Sequence, residues 1–228
     1  MRVCRSLLFL SIPAMLLLMV GVLAQTPSGK SNRITPVMYH WDDLKINTSL
    51  MIPEGKFARK RVRDLKPKYI TVHSTANRAR GAGARTHGRA QLAGNLKSTH
   101  NSLGYLSWHF SIDDKDIYQS LPCNEQGQHA DYEGEGNTSS IGIEMCENVD
   151  NSQAKTLDRT ARFVALLMKN YNIPLKKVVP HYHWNRVRFD DGKVLGHKAC
   201  PGILMDQGKP GPKWEAFVRK IGTYHTAL

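Results

Sequence analysis

Tyr69-Ile70-Thr71-Val72-His73-Ser74-Thr75 alternates apolar and polar residues, with Ile70 and Val72 on one face and Thr71, His73 and Thr75 on the other. That is a half-buried strand carrying a histidine on its polar side. Ser107–Ile112 and Ile117–Leu121 read as the two strands of a hairpin, joined by the acidic turn Asp113-Asp114-Lys115-Asp116. Ser140–Glu147 is another strand, turning Ile141, Ile143 and Met145 inward and Glu144 to the opposite face. Val178–His183 reads as a further strand. Gly81–Gly88 is a Gly/Arg-rich loop, and Arg89–Ser98 a short helix carrying Leu92, Ala93 and Leu96. Ala154–Tyr171 places Leu157, Ala161, Val164, Ala165, Met168 and Tyr171 at the spacing of a core-facing helical stripe. Pro212–Ile221 closes as an amphipathic helix through Trp214, Phe217, Val218 and Ile221. Strands interspersed with helices predict an α/β (α+β) fold: a single domain with a central mixed β-sheet flanked by helices.

Upstream of this pattern, Gln25 to about Lys68 is an irregular, basic extension with Pro27, Pro36, Pro53 and Pro67, in which Val37–Trp41 is expected to add an edge strand or pack across the domain. Before it, Leu7–Ala24 is nearly all apolar, follows Arg2 and Arg5, and ends on Val22-Leu23-Ala24. The layout predicts a secretory signal peptide over residues 1–24; the alternative is an uncleaved anchor, which Pro13 and the small-residue end disfavour. No later segment reaches the ~20 apolar residues needed to span a bilayer, which excludes a polytopic membrane protein. Cleavage after Ala24 leaves 204 residues, enough for one core without a disulfide framework. The product is expected to be exported, periplasmic or extracellular, and monomeric.

The chain carries 32 Lys+Arg against 19 Asp+Glu, a formal net charge of +13. In an exported chain this points to an anionic partner such as cell-wall polymer or a membrane surface. No nucleic-acid motif is present, so no nucleic acid is expected as partner. Much of the excess lies in Lys56–Lys68 (KFARKRVRDLKPK), a run that reads equally as a solvated surface.

Three residues fit a metal site: His73 on its strand, His181 at the end of another, and Cys200 in the turn Gly196-His197-Lys198-Ala199-Cys200-Pro201-Gly202. Two imidazoles and a thiolate leave a tetrahedral zinc ion one open position, the hallmark of a catalytic site. Their separations of 108 and 19 residues match no compact zinc motif, and ten histidines allow accidental trios.

Longer wording carries further. Val72-His73-Ser74-Thr75-Ala76, Ser107-Trp108-His109-Phe110, Asn137-Thr138-Ser139-Ser140-Ile141-Gly142-Ile143-Glu144, Val179-Pro180-His181-Tyr182-His183-Trp184 and Lys198-Ala199-Cys200-Pro201 follow one another in this order. Together they resemble the type 2 N-acetylmuramoyl-L-alanine amidases, the zinc family that includes phage-type amidase lysozymes and the peptidoglycan recognition proteins. The resemblance runs from about Tyr69 to Ile221 and makes residues 69–228 the catalytic domain. It implies a mixed sheet with a zinc cleft on one side, a Zn²⁺ cofactor, and cleavage of peptidoglycan or muropeptides between the lactyl group of muramic acid and L-alanine.

Carried over by position, His73, His181 and Cys200 match the zinc ligands, Glu144 the general base, and Lys198 the lysine that stabilises the developing oxyanion. Trp108 stands where many relatives have a catalytic tyrosine, leaving it a substrate-binding role and Glu144 the proton transfer. His129, in Gly127-Gln128-His129-Ala130, resembles a position near the family's cleft and is expected to touch substrate. His183 competes with His181, because residues two apart on a strand share a face; the family wording puts the ligand first. His109 is expected to be structural, and His197 either to support Lys198 or to sit exposed. Asn185–His197 lengthens the loop between two ligands, and its arginines either contact stem-peptide carboxylates or the wall, or are solvated. With Cys200 on zinc, Cys123 and Cys146 are left either to pair or to remain thiols.

Two other classes compete with the hydrolase. One is a peptidoglycan-binding module of the same fold; in the family resembled, members that only bind typically lack the cysteine ligand, which is present here. A basic wall-binding protein acting through Lys56–Lys68 would bind no zinc.

Overall fold

The computed structural model describes residues 41–228. The expected signal peptide and Val37–His40 of the expected edge segment lie outside them. The main sheet holds β1 (Ile46–Asn47), β2 (Tyr69–Ser74), β3 (Phe110–Ile112), β4 (Ile117–Gln119), β5 (Ser140–Met145) and β6 (Val178–Pro180), in the order β1-β4-β3-β5-β2-β6. The β3–β4 hairpin is antiparallel and every other pairing parallel, so the sheet is mixed. Two ribbons lie outside it: β7 (Asn185–Val187) with β8 (Val194–His197), and β9 (Met205–Asp206) with β10 (Lys209–Pro210). The helices are α1 (Ala84–Leu92), α2 (Glu135–Thr138), α3 (Gln153–Tyr171) and α4 (Pro212–Thr226).

The alternation seen in the sequence divides the sheet into two chemically different faces. Ile70, Val72, Phe110, Ile112, Ile117, Ile141, Ile143 and Met145 form one core with Phe163, Val164 and Met168 of α3 and with Trp214, Phe217 and Ile221 of α4. Phe110 meets Phe163 edge-on, with ring centroids 4.8 Å apart. At about 1.5–3 kcal/mol for each large apolar side chain buried, this face alone fixes the sheet against α3 and α4. The opposite face is therefore free to carry Thr71, His73, Ser111 and Glu144. Part of it is covered by α1, through Ala84 packed with Tyr118 and Cys146.

Several boundaries differ from the sequence reading. The first helix begins at Ala84, inside the expected loop, and stops at Leu92 rather than running to Ser98. Gly83 offers no side-chain cap, but Asp113 Oδ2 accepts the Ala84 N–H at 2.8 Å and starts the helix from a distance of 29 residues. Ser107 stands outside β3 and bridges to Gln128 instead. The expected strand Val178–His183 ends at Pro180, and His181–His183 forms a 3₁₀ turn. Residues two apart in such a turn point in widely different directions. The short α2, which shows no periodicity, forms because Asp131 accepts the Gly136 and Asn137 N–H groups at 2.8 and 2.9 Å.

Residues 41–68 are stitched to the rest. Here β1 pairs with β4, Trp41 lies edge-on against Tyr224, and Asp43 takes two hydrogen bonds from Arg162 at 2.5 and 3.0 Å. Within the basic run, Arg59 is buried and forks onto Glu125 through two 2.7 Å bonds, whereas Lys56, Lys60, Arg61 and Lys66 are exposed. Cys146 is a free buried thiol 3.8 Å from His87 Nδ1, so it does not pair with Cys123.

Candidate metal centre and cleft

Strand register assembles the site. On the polar face, Ser111 of β3 is level with Glu144 of β5, and Glu144 is level with His73 of β2. Val72 pairs with Pro180 of β6, so His181, the next residue, arrives beside His73. Cys200 closes the group from the far end of the β7–β8 ribbon. Its Sγ lies 4.0 Å from His73 Nδ1, which is 2.9 Å from His181 Nδ1. The three ligand atoms all fall within 4.8 Å of one another, and all three residues are buried.

A tetrahedral zinc ion with ordinary bond lengths sets nitrogens about 3.3 Å apart and nitrogen from sulfur about 3.6 Å. The two separations from His73 Nδ1 lie within a few tenths of an ångström of these, and the remaining pair lies within 4.8 Å. The electrostatics point the same way. Burial holds His73 well below the usual histidine range, and His181 falls to about 3 through burial and then the Lys198 charge. Neutral imidazoles are the form that ligates. Burial pushes Cys200 up to about 12 and Glu144 up to about 8, the latter opposed by Lys198. A cation among these groups favours thiolate and carboxylate, reversing both shifts.

His129 takes a place that the sequence did not specify. Its Nδ1 is 3.1 Å from His73 Nε2. With His73 Nδ1 turned to the ligand cluster, His73 Nε2 is the donor and His129 Nδ1 the acceptor, which fixes both tautomers. His129 Nε2 then carries the proton, is buried, and has no partner among the described residues. The ring is seated by glycine: a Cβ at Gly142 would lie 2.7 Å from His129 Cδ2 and Nε2, and one at Gly127 would lie 2.7 Å from Cδ2. Asn137 Oδ1 accepts the His129 and Ala130 N–H groups at 2.9 and 2.8 Å, pinning the loop. Asn137 and Gly142 are thus positioning residues that lay inside the quoted wording without an assigned task.

The cleft over this cluster is lined by His73, Trp108, His129, Glu144, His181 and Lys198 among others, so all the expected site residues except buried Cys200 border it. Glu144 Oε1 is 4.0 Å from His73 Nδ1, and its Oε2 is buried without a partner among the described residues. Trp108 is nearly buried, donating from its indole to Ser111 Oγ at 2.8 Å. Lys198 is exposed at the rim. His183 is separated from the cluster and lies against Trp184 and Tyr69. His109 is structural: its Nε2 donates to the Glu125 carbonyl at 2.8 Å and its Nδ1 accepts the Gly142 N–H at 2.9 Å. His197 is exposed and stacks on Tyr182 at 4.8 Å.

The family model described as N-acetylmuramoyl-L-alanine amidase matches residues 63–203. Among curated relatives, XlyA of Bacillus subtilis is 42% identical over 159 residues, covering 69% of this chain and 45% of its own. CwlH of the same organism is 40% identical over 164 residues, covering 71% and 56%. Both are named N-acetylmuramoyl-L-alanine amidases, and this chain spans about half their length. A solved mutant endolysin from Bacillus subtilis superposes with a TM-score of 0.62 at 43% identity, over 78% of this chain and 99% of that one. A matched segment that contains all three clustered ligand residues, Glu144 and Lys198 makes this chain a member of the N-acetylmuramoyl-L-alanine amidase family.

Proposed function

We propose that the chain is an exported zinc hydrolase that cuts the amide between the lactyl group of N-acetylmuramic acid and L-alanine, in peptidoglycan or muropeptides. The observation that carries this reading is the alignment of Glu144 and His73 on paired strands, with His181 just past the end of a third and Cys200 completing a ligand set at the floor of an open cleft. His73, His181 and Cys200 would hold the ion; two imidazoles and a thiolate suit zinc. The chemistry supplied there is Lewis acidity toward an amide carbonyl and toward water.

The protein's own groups do the rest. Glu144 accepts the proton of the attacking water and returns it to the departing L-alanine nitrogen as the carbon–nitrogen bond breaks. Its near-buried position makes the ionised carboxylate a stronger base than one in water. Lys198 stabilises the oxygen that becomes anionic. His129 holds His73 in the ligating tautomer, while Trp108 supplies an apolar wall for substrate. The relatives' names support action on cell wall, and no described helix is long and apolar enough to cross a membrane.

Mass spectrometry of purified peptidoglycan treated with the zinc-loaded protein tests this. Free stem peptides beginning with an unblocked L-alanine, beside glycan retaining intact lactyl groups, are the expected products. Retention on the wall material without any new amine would replace the hydrolase with a binding module.

A further inference from the structure

We propose that Arg186 is a specificity residue that binds the carboxylate of the stem-peptide residue following L-alanine; this rests on the hydrolase reading above. The β7–β8 ribbon joins two ligand residues and forms one wall of the cleft through Arg186, Val187, Arg188 and Leu195. The wall is held at its base and its tip. At the base, His197 stacks on Tyr182, and buried Trp184 donates to Thr71 Oγ1 at 2.9 Å. At the tip, Phe189 meets Tyr132, another cleft residue, with ring centroids 5.9 Å apart.

The two arginines on this wall differ in what they are bonded to. Arg188 is neutralised within the ribbon by Asp191 and by Asp190 at 3.3 Å. Arg186 gives one Nη2 hydrogen bond to the Leu195 carbonyl at 3.1 Å, and no acidic side chain pairs with it among the described residues. That bond anchors the guanidinium on the wall and leaves most of its donors for a ligand. It borders the same cleft as His181, Glu144 and Lys198, which places it beside the reacting end.

The substrate narrows the choice of ligand. The muramoyl sugar has no ionised group once its lactyl carboxyl is tied up in the amide, so the anions of a muropeptide lie on the peptide. The one closest to the scissile bond belongs to the second peptide residue, an acid in some walls and an amide in others. A planar guanidinium discriminates these strongly, since it pairs with a carboxylate through two parallel charge-assisted bonds.

Steady-state kinetics on two muramoyl tripeptides, identical except for a free or amidated carboxyl on the second residue, test the assignment. The zinc-loaded protein should favour the free acid by about tenfold or more in kcat/KM, mostly through KM, as expected for a hydrogen-bonded charge. Arg186→Ala should collapse that ratio toward one and Arg186→Lys should restore part of it. Arg188→Ala, already paired within the ribbon, should keep the wild-type ratio. Equal turnover of both tripeptides by the wild type, or an Arg186→Ala ratio equal to wild type, overturns the assignment and leaves the hydrolase reading intact. Turnover of neither tripeptide overturns the hydrolase reading itself, and this inference with it.

Discussion

Glu144 is level with His73 in the β2–β5 pairing and owes its exposure to the cleft to strand alternation: Ile143 and Met145 beside it are fully buried on the other face. A carboxyl so placed is costly to ionise in an apolar setting, and a cation next to it pulls the proton off. Glu144→Gln keeps the shape and removes the proposed base. We expect it to retain zinc and its fold while kcat falls about 10²–10⁴-fold. Turnover within tenfold of wild type, with metal content matched, would take Glu144 out of the reaction. Before any coordinates, this residue was legible in two independent ways, by alternation and by the Ser-Ile-Gly-Ile-Glu wording. His73, His181 and Cys200 were legible mainly through wording, because their sequence separations say nothing about proximity. Arg186 was legible only as one of two loop arginines, since its isolation from acids depends on where Asp190 and Asp191 turn.

Among the elements, β5 does two tasks. Its odd-numbered residues seal the core, and Gly142 leaves the space in which the His129 ring sits against His73. Gly142→Ala would press a methyl group to within 2.7–2.8 Å of that ring, closer than real contacts allow. Because Asn137 pins the loop, the ring has little room to retreat, so the strain should surface at His73, the proposed ligand. The expected outcome is a loss of stability of about 1–3 kcal/mol, read by urea denaturation. Zinc affinity should drop about 10–100-fold, read by chelator competition; unchanged affinity would show that His129 does not orient His73. The long α3 and the core-facing strands were legible because periodicity reports burial directly. The start of α1, the turn at His181 and the four-residue α2 were not. Each is set by a hydrogen bond or a chain reversal supplied from elsewhere, such as Asp113 reaching Ala84, and local pattern carries no trace of a remote partner.

Across the molecule, the polar face is a store of buried neutral histidines, and this links folding to pH. His109 is held down to about 4 by burial, against an ordinary 6.5, while its bond to the Glu125 carbonyl partly opposes the shift. Above pH ~6.5 neither folded nor unfolded chain protonates this ring, and its contribution is complete. Between about 6.5 and 4 the unfolded chain binds a proton that the folded one refuses. Stability therefore falls as pH falls, by on the order of 3 kcal/mol for this ring alone. Urea midpoints of the metal-free protein at pH 7, 6 and 5 should decline, and His109→Gln should shallow the slope by about one proton. Equal slopes would mean that the folded protein protonates His109 as readily as the unfolded chain. The β7–β8 ribbon shows a different kind of economy at this scale. Floor and wall have largely separate origins: His73, His181 and Glu144 are set by the register of the main sheet, whereas the wall is a detour of the chain on its way to Cys200. Such a detour behaves as an interchangeable cassette. A change in its length or lettering would alter what the cleft admits without moving the strands that carry His73 and Glu144.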